Sequence, residues 1–435
     1  MPDARPFNGY RYALDKPEDL GRFVAPPYDM IDTAMVARLY EKDAANVVRV
    51  IQNKKERSDT ENRDRHHRAA AFLNEWISSG VLKKDAEPSL YVYRHEFAVR
   101  QGSKTVSYKR TSVIALVKLV DYEKRLILPH EYTLSGPKID RYELLSATRT
   151  HSELIFGIVP DEGLLYKVIT SCATGPVVGS FESDGGVRHS LFRIADGAAI
   201  KRLTDALAGK KVLIADGHHR YETALTFFKD TANPEHAYVV MALVSMADPG
   251  LVIRPFHRLV RSSPGSLDVP LMQALKQFFD VKDLGPAAFG AVQKFLEKRA
   301  LPEILFLDSS DQRLYGLTLS RAGGEYLSKN PHGMSKRWNL LDVSKINSIV
   351  VNKILSLPLD GTVLHDLIDY LNDPEAAYDE AMRDANAYRG AFFIRPLDIE
   401  TVNAIVSGGE RMPQKSTNFF PKFFSGLVFN RMENG

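Results

Sequence analysis

Five consecutive residues, Asp216-Gly217-His218-His219-Arg220, bring a carboxylate, a glycine, two imidazoles and a guanidinium to one point of the chain. They follow a short apolar run, Lys211 to Ala215, and precede Tyr221, Ala224, Leu225 and Phe228, which recur at i, i+3, i+4 and i+7. The unit reads as strand, tight turn, helix. A helix N-terminus presents unpaired N–H groups and the positive end of the macrodipole. Gly217 permits close backbone approach, Arg220 offers a planar fork, and His218 and His219 can donate hydrogen bonds or carry protons. The chemistry predicted is the holding of a phosphate group. In the plainer alternative, Asp216 only caps the helix and the basic residues lie on its solvated face. A zinc site is disfavoured, because adjacent histidines rarely reach one metal and no third ligand matches.

A second candidate lies in the tail, Met412-Pro413-Gln414-Lys415-Ser416-Thr417 followed by Phe419-Phe420-Pro421-Lys422. The interval from Gly409 to Lys415-Ser416 is that of a P-loop, but Gln414 stands at the second glycine position and Pro413 and Pro421 interrupt the loop and the helix it needs. The P-loop is rejected. Lys415, Ser416 and Thr417 are expected either to contact a phosphate or substrate in another manner or to form a structural strand, with Lys422 in support. Tyr28-Asp29, His130-Glu131 and Asp140-Arg141 stand beside turn residues, and His257-Arg258 follows a strand ending at Pro255. These are candidate substrate contacts, since loop polar residues carry function more often than average. His66-His67, between Arg65 and Arg68, reads as a solvated helix face, and Cys172 as a loop thiol.

Composition narrows the setting. The chain has 435 residues, 44% hydrophobic and 26% charged, which suits a globular protein of two lobes or more. Lys and Arg number 57 against 54 Asp and Glu, so no overall field favours nucleic acid. One cysteine excludes an intramolecular disulfide and a cysteine zinc cluster, and fits a reducing cytoplasm. The first residues lack the apolar core of a signal peptide. The longest apolar run, Ala237 to Met246, is half what a membrane span needs. A cytoplasmic location is expected. The oligomeric state is left open.

The elements that must position these residues can be outlined. Helices are expected after Asp32 or Thr33, over Asp64 to Ser78, around Tyr142 and Leu145, and over Asp398 to Val406. Strands are expected at Ser89 to Phe97, Lys104 to Val120, Lys211 to Ala215, Ala237 to Met246, Leu251 to Pro255 and Ala391 to Ile394. Residues 268–390 read as richer in helix, with a strand pair at Glu303 to Leu307 and Arg313 to Leu319. The fold class is mixed α/β. The expected lobes are 1–205, and 206–435 with the phosphate turn and the tail.

Several segments together resemble the DUF1015 family: Pro26-Pro-Tyr-Asp29, His130-Glu131, Lys138-Ile-Asp140-Arg141, Ala215-Asp-Gly-His-His-Arg-Tyr-Glu-Thr-Ala224, His257-Arg258, Met412 to Thr417, Phe420-Pro-Lys422 and Ser425-Gly-Leu427. Locally, the strand–turn–helix unit is similar to the nucleotide-phosphate turn of the ParB/sulfiredoxin superfamily, which includes free-serine kinases. That likeness implies a ParB/sulfiredoxin-like core elaborated with further strands and helices, and phosphate contacts at Gly217, His218, His219 and Arg220. Sulfiredoxin activity is disfavoured, since Gly217-His218 stands where that family has its reactive cysteine. The leading expectation is a nucleotide-dependent phosphotransferase acting on a small hydroxyl-bearing metabolite, first L-serine, with ATP or ADP and Mg²⁺. Asp29, Glu131 and Asp140 are the available carboxylates. Asp29 and Glu131 are joint choices for the base, and His218 and His219 are catalytic candidates. The alternatives are a nucleotide-binding regulatory or nucleic-acid-associated protein of ParB type without kinase activity, and a metal-dependent hydrolase using Asp216, His218 and His219.

Overall fold

A computed structural model describes residues 3–60, 64–101, 104–132, 135–262, 270–297, 300–329, 332–357 and 367–432. The fold is mixed α/β. Its first sheet has nine strands: β1 (Ala4–Arg5), β2 (Leu90–Gln101), β3 (Lys104–Lys118), β4 (Ile127–Pro129), β5 (Ile155–Val159), β6 (Val177–Ser183), β7 (Val187–Ile194), β8 (Val212–Asp216) and β9 (Tyr238–Ser245). They run in the order β4-β8-β5-β9-β3-β2-β7-β6, with β1 on β3. Residue 205 lies within the run of strands that builds this sheet.

Both faces of the sheet are covered, and side-chain alternation assigns each residue to one of them. Along β9, Val240, Ala242 and Val244 join one apolar cluster while Val239, Met241 and Leu243 join another. Flanking helices include α1 (Thr33–Lys42), α2 (Arg65–Ser78), α3 (Ser135–Thr148), α4 (Leu164–Cys172), α5 (Gly197–Leu207) and α6 (His218–Thr231). Asp32 opens α1 by accepting from the Met35 N–H, and Asp64 opens α2 by accepting from His66 and His67. Helices α4, α5 and α6 cover one face. The tail covers the other, through Met412, Phe419, Phe423 and Leu427. Cys172 is the buried last residue of α4 rather than a loop thiol.

Residues 268–390 are richer in helix than in strand, as expected, with Phe289–Glu297, Arg321–Ser328, Ile346–Ile354 and Pro374–Arg383 among the helices, but they also hold more strands than the expected pair. After β10 (Val252–Arg254) comes a six-stranded antiparallel sheet of β11 (His257–Arg261), β12 (Phe279–Pro286), β13 (Ile304–Asp308), β14 (Arg313–Leu319), β15 (Ile368–Leu371) and β16 (Tyr388–Phe393), in the order β12-β14-β13-β16-β11-β15. Short strands with charged outer residues, such as Phe279–Pro286, hide their period in the sequence. The expected pair at 303–307 and 313–319 is present as β13 and β14. Residues 263–269 and 358–366 lie outside the described residues. The helix expected after Asp398 is Ile399–Ser407. Beyond it the chain returns to the first half, and β17 (Asn418–Phe420) pairs with β10.

Two contacts set where this returning segment lies. Arg110, fully buried in β3, donates to the carbonyls of Phe420 and Pro421. The Asp248-Pro249-Gly250 turn packs on the same stretch of β3, where Asp248 accepts from the Thr111 N–H at 2.9 Å and from the Gly250 N–H at 2.7 Å. A Cβ on Gly250 would stand 2.4 Å from the Lys109 carbonyl oxygen, against backbone that cannot swing aside. Gly250→Ala is therefore expected to destabilise the fold by about 1–3 kcal/mol. Urea unfolding should show a lower midpoint with an unchanged slope.

Candidate functional site

The site begins where two parallel strands end. β4 and β8 pair in register, with Val212 opposite Ile127 and Ile214 opposite Pro129. The next residues on β4 are His130 and Glu131, and those after β8 are Gly217 and His218. Parallel pairing thus sets the two polar segments side by side at the carboxyl ends of the strands, where ligands of open α/β sheets commonly bind.

The turn itself is tightly organised. Gly217 caps α6 with φ +89°, a left-handed backbone that suits glycine, and a Cβ there would meet the Arg220 guanidinium at 3.1 Å. Asp216 does not cap the helix. One of its oxygens accepts from Arg220 at 2.7 Å and the other from Lys422. Gly217 has no side chain to cap α6, and the positive end of the helix macrodipole lies at this turn. Arg220 is less free than expected. It is largely buried, and its other terminal nitrogen donates to the Leu154 carbonyl. His219 is half-buried beside it.

The tail joins this turn. Thr417 Oγ1 lies 2.8 Å from His130 Nε2, and the Ser416 N–H donates to Glu131 Oε1 at 3.1 Å. The Met412 N–H donates to the His130 carbonyl at 2.8 Å. His130 Nδ1 lies 2.6 Å from the Ile214 carbonyl oxygen, and its own backbone N–H donates to His218 Nε2 at 3.2 Å. His218 Nε2 is therefore an acceptor, and its ring is neutral. Burial, then nearby His130, pushes its pKa down to about 3. Lys415 takes a left-handed φ of +57° and carries its exposed side chain outward, 5.3 Å from the centre of the Phe256 ring. Arg258 supports it from below, donating to its carbonyl at 3.2 Å. Ser416 and Thr417 are buried, so they hold Glu131 and His130 rather than face solvent.

The Pro-Pro-Tyr-Asp turn closes a third side. The Tyr28 ring lies under the Arg141 guanidinium at 4.1 Å, and burial raises its phenol to about 12. Glu153 is buried and gathers the Tyr28 N–H, Arg141 and the Ser425 hydroxyl, each at 3.4 Å. Sequence reasoning missed Glu153. Its signal was a polar run, Thr150 to Glu153, standing directly before an apolar strand. Asp29 stands at the mouth of the recess, accessible to solvent yet closely walled. Desolvation and the Asp216 charge raise its pKa, against the pull of Arg220 and Lys422.

A family model described as a protein of unknown function, DUF1015, matches residues 4–344. The chain belongs to the DUF1015 family. No curated protein matches it. Among solved structures, the DUF1015 chain is similar to a free serine kinase mutant in complex with AMP, at 11% identity and TM-score 0.37 over 72% of this chain and 90% of that one. It is similar to SbnI with a C-terminal truncation from Staphylococcus aureus, at 11% identity and TM-score 0.35 over 72% and 86%. It is also similar to a conserved hypothetical protein from Pyrococcus furiosus, at 11% identity and TM-score 0.34 over 73% and 95%. Scores this low carry no inference about fold or activity.

Other expectations for this DUF1015 protein need correction. Asp140 is no free carboxylate: Arg65, His66 and Arg141 all hold it, and they outweigh burial to keep it well below the usual range. His66 is buried in that cluster, not on a solvated face. His257 stands beside Arg258 on β11, but alternation sends it away from Lys415. Among the described residues no three His, Cys, Asp or Glu converge as a metal site, and the ligand set Asp216, His218 and His219 is not formed. No helix among them is long and apolar enough to cross a membrane.

Glu131 is a poor base. Burial pushes its pKa up, but His130, His218 and Lys415 outweigh this and hold it at about 2. The folded value lies below the usual glutamate value of about 4.3, so ionised Glu131 contributes stability above that pH. The contribution is lost as pH falls through about 2. Wild type should exceed Glu131→Gln in stability at neutral pH, and the gap should narrow as the medium is acidified towards that value. Denaturation midpoints of both proteins across this range are the measurement.

Proposed function

We propose that this protein is a nucleotide-dependent phosphotransferase acting on a small hydroxyl-bearing metabolite, with free L-serine the first acceptor to try. The observation that carries the reading is Asp29. Its carboxyl reaches solvent and its pKa is raised, as suits a general base, and it stands within the field of Arg220 and Lys422 beside the uncapped start of α6. In this reading Lys422 and the positive end of the α6 macrodipole hold the terminal phosphates. Asp29 takes the proton of the acceptor hydroxyl as that oxygen bonds to phosphorus, and the nucleoside diphosphate leaves with the electron pair of the broken bond. Mg²⁺ usually rests on phosphate oxygens and one or two carboxylates, and Asp29 is the carboxylate that could share it. The core would then be of ParB/sulfiredoxin type.

A second reading has one observation in its favour. Arg220 and Lys422 are already paired to Asp216, which suits a protein that holds a nucleotide without strong stabilisation of a transition state. That reading is a nucleotide-binding regulatory protein.

Calorimetry with ATP and ADP plus Mg²⁺, followed by detection of phosphoserine after incubation with L-serine, separates the two. Asp29→Asn is expected to keep nucleotide binding and lower transfer by roughly 10²–10⁴-fold. Wild-type transfer should rise with pH through a value above the ordinary aspartate range, because the base acts only when ionised. Lys422→Gln should weaken binding about ten- to a hundredfold, as a charge-assisted contact is lost. It is the better test than Arg220→Ala, which would also strip the Leu154 carbonyl of its donor. Binding without transfer to any hydroxyl compound leaves the regulatory reading, and absence of binding removes both.

A further inference from the structure

β10, the strand that receives the tail, also borders a second cavity of about 570 Å³, distinct from the recess around Asp29. Its walls come from the β2–β3 hairpin and the second-sheet lobe, and Val99, Ile253, Phe289 and Leu296 make much of it apolar. One half-buried cation of the lining, Arg254, is free of any ion pair among the described residues. The Arg254 guanidinium lies 3.5 Å from the centre of the Phe420 ring, and among the described residues no carboxylate pairs with it. The nearest acidic influence is Asp373, whose Oδ1 already accepts from the N–H groups of Glu375 and Ala376 at 2.9 Å each.

We propose that this cavity binds a small carboxylate with an apolar body, its carboxylate held by Arg254. An arginine fork held flat on an aromatic ring matches a carboxylate in shape and charge. Three cations and three carboxylates line the cavity, so their formal charges cancel and no net field favours a phosphate dianion. The apolar wall suits an aliphatic or aromatic body. The proposal stands apart from the phosphotransferase reading and uses none of its residues.

The test is calorimetry and thermal shift on the full chain with hexanoate and benzoate. Hexanol, benzyl alcohol and inorganic phosphate serve as controls. At least one carboxylate should bind saturably and raise Tm, and the alcohols and phosphate should not. Arg254→Gln should weaken that binding at least about tenfold, the loss of one charge-assisted contact. Leu296→Trp, which fills the cavity from a half-buried position, should abolish it. The unliganded Tm of each variant reports whether it has folded, and either folded variant suffices. The proposal is overturned if neither carboxylate binds saturably, if the alcohols bind as well, or if a folded variant binds like the wild type.

Discussion

A buried carboxylate between two cations governs this architecture. Asp216 ends a core strand, where an unpaired negative charge would cost several kcal/mol. It is compensated by Arg220, four residues on, and by Lys422, from the far end of the chain. The first partner comes with the helix. The second requires the tail to travel back across the sheet and lie at one depth and one register. Arg110 secures that depth by gripping the carbonyls beside Lys422, and the β10–β17 ladder secures the register. Removing either support would leave Asp216 with Arg220 as its remaining counterion.

The same arrangement divides two carboxylates by environment. Glu131 accepts from the Ser416 backbone N–H and stands beside His130, so its ionised form is strongly favoured. Asp29 loses hydration to the walls around it and faces the Asp216 charge, so its ionised form is disfavoured. Groups whose environments push their pKa values apart are suited to different tasks. One is structural, and the other retains a proton affinity useful in chemistry.

The histidines are divided in the same way. His130 sits between the Ile214 carbonyl and Thr417, and His218 accepts from the backbone of His130, so both rings are committed to holding segments together. Residue types that suggest proton transfer are here joints of the scaffold. In the proposed function the chemistry falls instead to Asp29 and Lys422.

What the sequence by itself determined was local. The 3.6-residue period after Arg220, the apolar run before Asp216 and the capping aspartates at 32, 64 and 398 all describe interactions within a few residues, and the elements stand where those patterns put them. The clusters 26–29, 130–131, 216–220 and 415–422 were legible as polar groups next to turns. Their meeting was not, because the β4–β8 register and the return of the tail depend on contacts across hundreds of residues. Tertiary structure alone turned Asp140 into an ion-pair hub, buried His66, drew in Glu153, aimed His257 away from Arg258's partner and tied Arg220 to Leu154. It also joined the expected strands at 303–307, 313–319 and 391–394 to three further ones in a second sheet. Each of these outcomes turns on which charge finds which counter-charge once the chain is folded, a property of distance in space that spacing along the chain does not encode.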